Sequence, residues 1–265
     1  MKNLKDKIRS GETVHGCWIN LGSTVSAEIV GQAGFDWVLL DLEHGAGDVA
    51  ILYQQLQALS GSASTPIVRI DNLSRPKVQR ILDAGASGIM FPQIQTSRET
   101  DEAIRMMYYP PRGVRGLAKM IRATGFGRTA NEYIANVEKN LVGIIQIETP
   151  NALQNIDAIA STEGVDVLFV GPNDLSLSLG ILGQINHPLY QQSIQDVAKA
   201  AKNHGKATGV LLQDINEYEM YHKLGYRFLA CGGDSGFVRK GAEDLVKTMN
   251  DKAKIADGMQ RMGQL

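Results

Sequence analysis

The chain has 265 residues, 43% of them apolar, and a formal net charge of −1. This is enough for one large α/β domain or two small ones around a sizeable core. The lack of any dominant Lys/Arg cluster argues against nucleic acid or a membrane surface as partner, and no apolar run approaches a membrane span.

The charged N-terminus, Met1-Lys-Asn-Leu-Lys-Asp-Lys, leads into no apolar stretch of the signal-peptide kind. Short apolar runs then alternate with helical patterns to the end. Strands are expected near Val14–Ile19, Trp37–Glu43, Pro66–Ile70, Gly88–Pro92, Leu141–Glu148, Val165–Gly171, Ala207–Leu212 and Arg227–Gly232. Helices fall between and after them, at Ser26–Ala33, Val49–Ser60, Pro76–Ala84, Arg98–Met107, Asn151–Ala160, Leu189–His204, Ile215–Leu224 and Gly236–Ala256. Several strands lack polar alternation, as parallel strands covered on both faces do. Eight such units in about 250 residues match a single-domain (β/α)₈ barrel. A doubly wound open sheet is the alternative, weakened by the lack of a glycine-rich fingerprint after the first strand.

Gly34, Gly85, Gly164, Gly205 and Gly225 each close a helix before a strand. Thr149-Pro150 reads as an N-cap followed by a first-turn proline. The stretch Tyr109 to Thr129 is long and Gly/Arg-rich, the mark of a lid or an interface. The barrel is expected over residues 1–256, with a mobile polar tail over 257–265. Cys17 and Cys231 form no CxxC pattern and fit free thiols in a reducing cytoplasm.

The polar residues gather at the strand ends. Gln146 and Glu148 are two apart, so a strand points both the same way. Glu43-His44 ends the second strand, Arg69 the third, Gln93 follows the fourth, and Asp174 follows the sixth. In a barrel all lie on the C-terminal face, where active sites are built. Singly, each has a structural reading: Asp174 as a helix cap, His44 as a structural histidine, Arg69 as a partner of Glu43 or Asp71. Asp83 reads as a helix-surface residue with room for a supporting role, and Asp41 as an anchor in the barrel interior. Together, Glu148 and Asp174 suggest a hard cation, Mg²⁺ or Mn²⁺ rather than Zn²⁺, since neither Cys nor a second His stands nearby. Gly171-Pro172-Asn173-Asp174 precedes a helix start whose backbone N–H groups would hold a substrate carboxylate.

The chain resembles the HpcH/HpaI aldolase family, the metal-dependent class II 2-oxo-acid aldolases. The resemblance rests on Asp41-Leu-Glu-His-Gly45, Val68-Arg69, Leu82-Asp-Ala-Gly-Ala86, Phe91-Pro-Gln93, Tyr109-Pro-Pro-Arg-Gly-Val-Arg-Gly116, Gln146-Ile-Glu148 and Gly171-Pro-Asn-Asp-Leu-Ser176, in the family's order. It implies Glu148 and Asp174 as metal ligands, with Co²⁺ also admissible. It implies His44 as general base oriented by Asp83, Arg69 as the group stabilising the enolate, and Gln146 near metal and substrate. It further implies a (β/α)₈ fold and a hexamer, a trimer of dimers exchanging C-terminal helices. Asn173, where the family often has alanine, and Lys119-Met-Ile-Arg-Ala-Thr-Gly-Phe-Gly127 depart from the pattern and bear on substrate identity.

The expected function is reversible cleavage of a 4-hydroxy-2-oxo acid to pyruvate and an aldehyde. A CoA-thioester lyase of the citrate-lyase β type and an oxaloacetate decarboxylase are the rivals on the same fold. A non-catalytic small-molecule binder is the rival from another class, and joint retention of His44, Arg69, Glu148 and Asp174 argues against it.

Overall fold

The structure, a computed structural model, describes residues 3–262. Eight parallel strands close into a barrel in sequence order: β1 (Val14–Ile19), β2 (Trp37–Asp41), β3 (Thr65–Arg69), β4 (Gly88–Phe91), β5 (Val142–Ile147), β6 (Val167–Val170), β7 (Ala207–Leu212) and β8 (Phe228–Gly233). The helices are α1 (Leu4–Arg9), α2 (Thr24–Gly31), α3 (Val49–Ala58), α4 (Arg75–Asp83), α5 (Ser97–Met107), α6 (Ala130–Asn140), α7 (Pro150–Gln154), α8 (Ile156–Ala160), α9 (Pro172–Ser178), α10 (Pro188–Asn203), α11 (Tyr218–Lys223) and α12 (Asp234–Met262). This is the expected (β/α)₈ barrel, and the open-sheet alternative falls. Among the described residues no helix is long and apolar enough to cross a membrane.

Two apolar layers follow from strand parity. Val38, Leu40, Val68, Ile89, Ile145 and Leu168 face outward into the helix layer. Trp37, Leu39, Ile67, Met90, Ile144 and Phe169 face inward and fill the barrel. Inside, Trp37 stacks on Phe228 with ring centroids 4.0 Å apart and meets Phe169 edge-on. Glycine makes room for that stack: a Cβ at Gly16 would lie 2.1 Å from the Trp37 ring. The N-terminal helix α1, absent from the sequence pattern, inserts Leu4 and Ile8 into the lower end of this interior.

The punctuation acts as expected. Gly34 and Gly85 sit at φ +98° and +103°, conformations that a side chain at these turns would strain. Thr149 Oγ1 accepts the Ala152 N–H and caps α7. Later helices differ from expectation. The helix expected over Asn151–Ala160 breaks at Asn155, whose amide side chain donates to the Gln95 carbonyl instead of facing solvent. Helix α6 occupies a stretch read as unpatterned, because Ala130, Tyr133 and Val137 give it only a short apolar face. Helix α12 runs on to Met262, so the segment expected as a tail from 257 begins within it, and residues 263–265 lie outside those described.

The stretch Tyr109 to Thr129 forms no lid over its own barrel. It runs along the outside of α4. Arg75 Nε donates to the Val114 carbonyl at 2.6 Å, and the Gly116 N–H to Gln79 at 3.1 Å. Arg122 donates to the carbonyls of Ala84 and Leu56 at 2.8 and 2.9 Å. Leu117, Met120 and Phe126 are left exposed.

Candidate active site

The inward parity that fills the barrel ends in polar residues. Trp37 and Leu39 lead to Asp41, Ile67 leads to Arg69, and Val142 and Ile144 lead to Gln146 and Glu148. One alternation therefore writes both the apolar plug and the polar crown above it. β6 contributes Phe169 and then Gly171, where absence of a side chain matters. A Cβ there would come within 2.7 Å of Gln146 Nε2 and 2.8 Å of Glu148 Oε2.

Asp41 and Arg69 are cross-strand partners. Arg69 donates through Nε to Asp41 Oδ1 at 3.0 Å and through a terminal nitrogen to Oδ2 at 2.6 Å. Its other terminal nitrogen lies 3.2 Å from Glu43, and the guanidinium rests 5.8 Å from the Trp18 ring centroid. Burial opposes the Arg69 charge, but the hydrogen bonds and charge of Asp41 more than offset it. Asp41 Oδ1 also accepts the N–H groups of Glu43 and His44, at 3.0 and 3.3 Å, which fixes the turn that carries His44. The His44 side chain itself is exposed.

Glu148 is 1% exposed. Its Oε1 accepts the Gln93 N–H at 2.7 Å, and its Oε2 accepts from Gln146 Nε2. Gln93 reaches it from a left-handed backbone, φ +57°. Burial pushes the Glu148 carboxyl up to about 7, and the charges of Asp174 and Glu43 add to the rise against the two hydrogen bonds. Among the described residues no cation is ion-paired to Glu148. Gln146 Oε1 is buried and has no hydrogen-bond partner among the described residues. Asp174, half-buried, lies in the first turn of α9, whose Ser178 hydroxyl ties back to the Glu148 carbonyl at 3.0 Å. Two adjacent carboxylates, an unpartnered amide oxygen and a side-chain-free wall at Gly171 suit a hard cation that prefers oxygen. Among the described residues no cluster of three or more Asp, Glu, His or Cys forms a cage, so such an ion would keep open positions.

The sequence expected His44, Arg69, Gln146, Gly171, Pro172, Asn173, Asp174 and Glu148 at one barrel end, and there they stand. Within one chain Asp83 is not with them. It is the last residue of α4, at the opposite end of the barrel from His44, and its carboxylate accepts from Arg115 at 2.7 Å. Arg115 is fully buried between Asp83 and Tyr133. Pro172, in its turn, has no N–H, so of the first turn only the Asn173 and Asp174 amides can serve an anion. Sequence reasoning missed Trp18 and Asp234. The buried Asp234 accepts the Asn20 and Leu21 N–H groups at 2.9 and 3.3 Å and the Ser26 hydroxyl, holding the β1–α2 loop at the crown. The run Gly232-Gly233-Asp234-Ser235 was the available signal, a tight turn feeding a helix start.

A closed barrel with this crown defines a (β/α)₈ enzyme working at the carboxyl ends of its strands. Comparison narrows the class. The sequence profile of the HpcH/HpaI aldolase/citrate lyase family matches residues 15–241. The 5-keto-4-deoxy-D-glucarate aldolase of Salmonella arizonae is 43% identical over 233 residues, covering 88% of this chain and 91% of its own. The protein of the same name from Escherichia coli O6:H1 is 41% identical with the same coverage. A crystal structure of a family member from Burkholderia cenocepacia superposes with TM-score 0.89 at 35% identity, covering 94% of this chain and 100% of that one. The chain belongs to the HpcH/HpaI aldolase/citrate lyase family, and it is an aldolase, a carbon–carbon lyase.

Proposed function

We propose that the protein is a divalent-metal-dependent aldolase that splits a 4-hydroxy-2-oxo acid into pyruvate and an aldehyde and runs the reverse. The observation that carries this reading is Glu148, a buried carboxylate with no ion-pair partner among the described residues, beside Asp174 and the Gln146 Oε1 that has no hydrogen-bond partner among them. Glu148 and Asp174 would hold Mg²⁺ or Mn²⁺, with Co²⁺ as a third candidate. When bound, the ion supplies Lewis-acid polarisation of the substrate carbonyl.

The chain's own groups do the rest. Arg69 has five N–H donors and gives only part of them to Asp41. The remainder stabilise negative charge on the enolate oxygen. His44 takes the proton from the C4 hydroxyl. The C3–C4 bond then breaks, its electron pair enters the pyruvate enolate, and C4 departs as the aldehyde. Return of the proton held by His44 to C3, by way of water, completes pyruvate and restores the base. The Asn173 and Asp174 amides, with Gly171 shaping the wall, hold the substrate carboxylate. The relatives' name fits this bond: 5-keto-4-deoxy-D-glucarate, counted from its keto end, is a 4-hydroxy-2-oxo acid.

The protein is also read as a homo-oligomer, a hexamer built as a trimer of dimers. Helix α12 does not pack as an eighth barrel helix: it touches β1 and β8 at its start, and every described side chain from Phe237 to Ala256 is exposed. Val238, Ala242, Leu245, Val246 and Met249 then form an apolar stripe that no described residue of its own chain covers. An exchanged helix on a second copy covers it. Cys17 and Cys231 are unpaired thiols, in keeping with a reducing cytoplasm.

The test is pyruvate release from a panel of 4-hydroxy-2-oxo acids, with and without chelator. Metal-dependent release is expected. No release from any member in Mg²⁺ or Mn²⁺, with turnover of a CoA thioester or of oxaloacetate instead, overturns the reading.

A further inference from the structure

A cavity of about 650 Å³ opens at the other end of the barrel, below the amino ends of β5 to β8. Six cations and three carboxylates line it. The carboxylates are engaged: Asp166 lies 2.9 Å from the buried Lys5, and Glu138 and Glu163 both pair with Arg112. Four cations remain over. Among the described residues Arg9, Lys202, Lys206 and Arg227 have no ion-pair partner. Arg227 donates only to the carbonyls of His222 and Tyr226, both at 2.8 Å, and Lys206 only to that of Thr162, at 3.3 Å.

These charges stand close enough to disturb one another. Burial lowers the Lys5 and Lys206 ammonium groups, and the charge of Arg9 lowers both further. A set of mutually repelling cations around a concave wall is unfavourable unless something negative relieves it. Ile8, Val165 and Leu224 give the same cavity an apolar side. A pocket of this size suits a small organic molecule.

We propose that this cavity is a second ligand site that takes a small polyanion, a phosphate ester or polyphosphate, held by Arg9, Lys202, Lys206 and Arg227. The site is distinct from the catalytic crown. Lys5 Nζ donates to the Leu141 carbonyl at the foot of β5, and Glu148 stands at the head of that strand. Seven residues of extended chain separate the two by roughly 20 Å. The cavity floor nonetheless braces the strands that carry the crown, since Asp166 also accepts the Gly143 N–H at 2.9 Å.

The experiment is calorimetric titration of the full-length protein with inorganic pyrophosphate and with ATP, in buffer containing EDTA so that no metal enters the crown. Wild type is expected to bind one equivalent per chain, more weakly as salt is raised. The Arg9→Ala/Lys206→Ala protein is expected to bind at least about tenfold more weakly, the usual scale for losing charge-assisted contacts. Lys202→Glu, an exposed rim change that leaves the fold intact, is expected to weaken binding in the same direction. Arg69→Lys is expected to bind as wild type does. Absence of binding to wild type at millimolar probe overturns the proposal. So does a loss confined to Arg69→Lys, which would place the anion at the crown.

Discussion

Asp41 and Arg69 close adjacent strands in register, and Asp41 spends both carboxylate oxygens on the Arg69 guanidinium while also accepting the His44 N–H. One buried side chain thus fixes both the Arg69 guanidinium and the turn that carries His44. Lysine at position 69 could not reproduce the two-point grip. Arg69→Lys is expected to fold and to lose about 10²–10³ in turnover. Pyruvate release and a thermal melt on the same preparation check this, and wild-type turnover would remove Arg69 from the mechanism.

Glu148 is expected to give a pH signature of opposite sign with and without metal. Its folded carboxyl, near 7, lies above the ordinary 4.5. The folded state therefore binds the proton more tightly than the unfolded state. Without metal, this contribution to stability is full below about 4.5 and is lost as pH rises through 7. A metal held by Glu148 would need the carboxylate, so its affinity is expected to rise with pH up to about 7 and then level. Mn²⁺ titrations and denaturant melts between pH 5 and 8 test both slopes. Glu148→Gln is expected to flatten the stability slope and abolish metal binding.

His44→Ala is expected to slow cleavage by about 10²–10⁴. The imidazole is exposed and forms no hydrogen bond among the described residues, so the melting temperature should hold. Pyruvate affinity should hold too, because Arg69 and the carboxylate pair do not depend on the ring. A rate within threefold of wild type in a folded mutant would assign the base to another group.

Asp83→Ala is expected to act on stability. It strips Arg115, fully buried, of its carboxylate partner and leaves it the Tyr133 hydroxyl at 3.1 Å. Removing one half of such a pair costs about 3 kcal/mol. Urea melts should show the loss while the acid limb of the pH–rate profile stays in place. A displaced limb with unchanged stability would instead tie Asp83 to His44.

Charge placed on the α12 stripe should break the assembly. Leu245→Asp/Met249→Asp, both at exposed positions, is expected to shift the mass in light scattering toward the 28.8 kDa of one chain. A wild-type protein already at that mass would refute the oligomer.

The sequence by itself determined the barrel and the composition of its crown. Apolar runs without alternation, glycines closing helices and the β-to-helix rhythm are local signals, and local signals suffice to count eight units. The spacing of Gln146 and Glu148 on one strand was legible for the same reason, since parity needs no partner. The tertiary structure decided what depends on register and on which end of a helix faces which way. Asp41 grips Arg69 because β2 and β3 align at those residues, across 28 positions of chain. Within one chain Asp83 stands apart from His44 because α4 carries its last residue to the far end of the barrel. Tyr109 to Thr129 lies along α4 rather than over the crown because Arg75, Gln79, Ala84 and Leu56 offer its polar groups partners there. None of these pairings is a property of a window of sequence; each exists only once closure of the barrel brings distant residues within hydrogen-bonding reach.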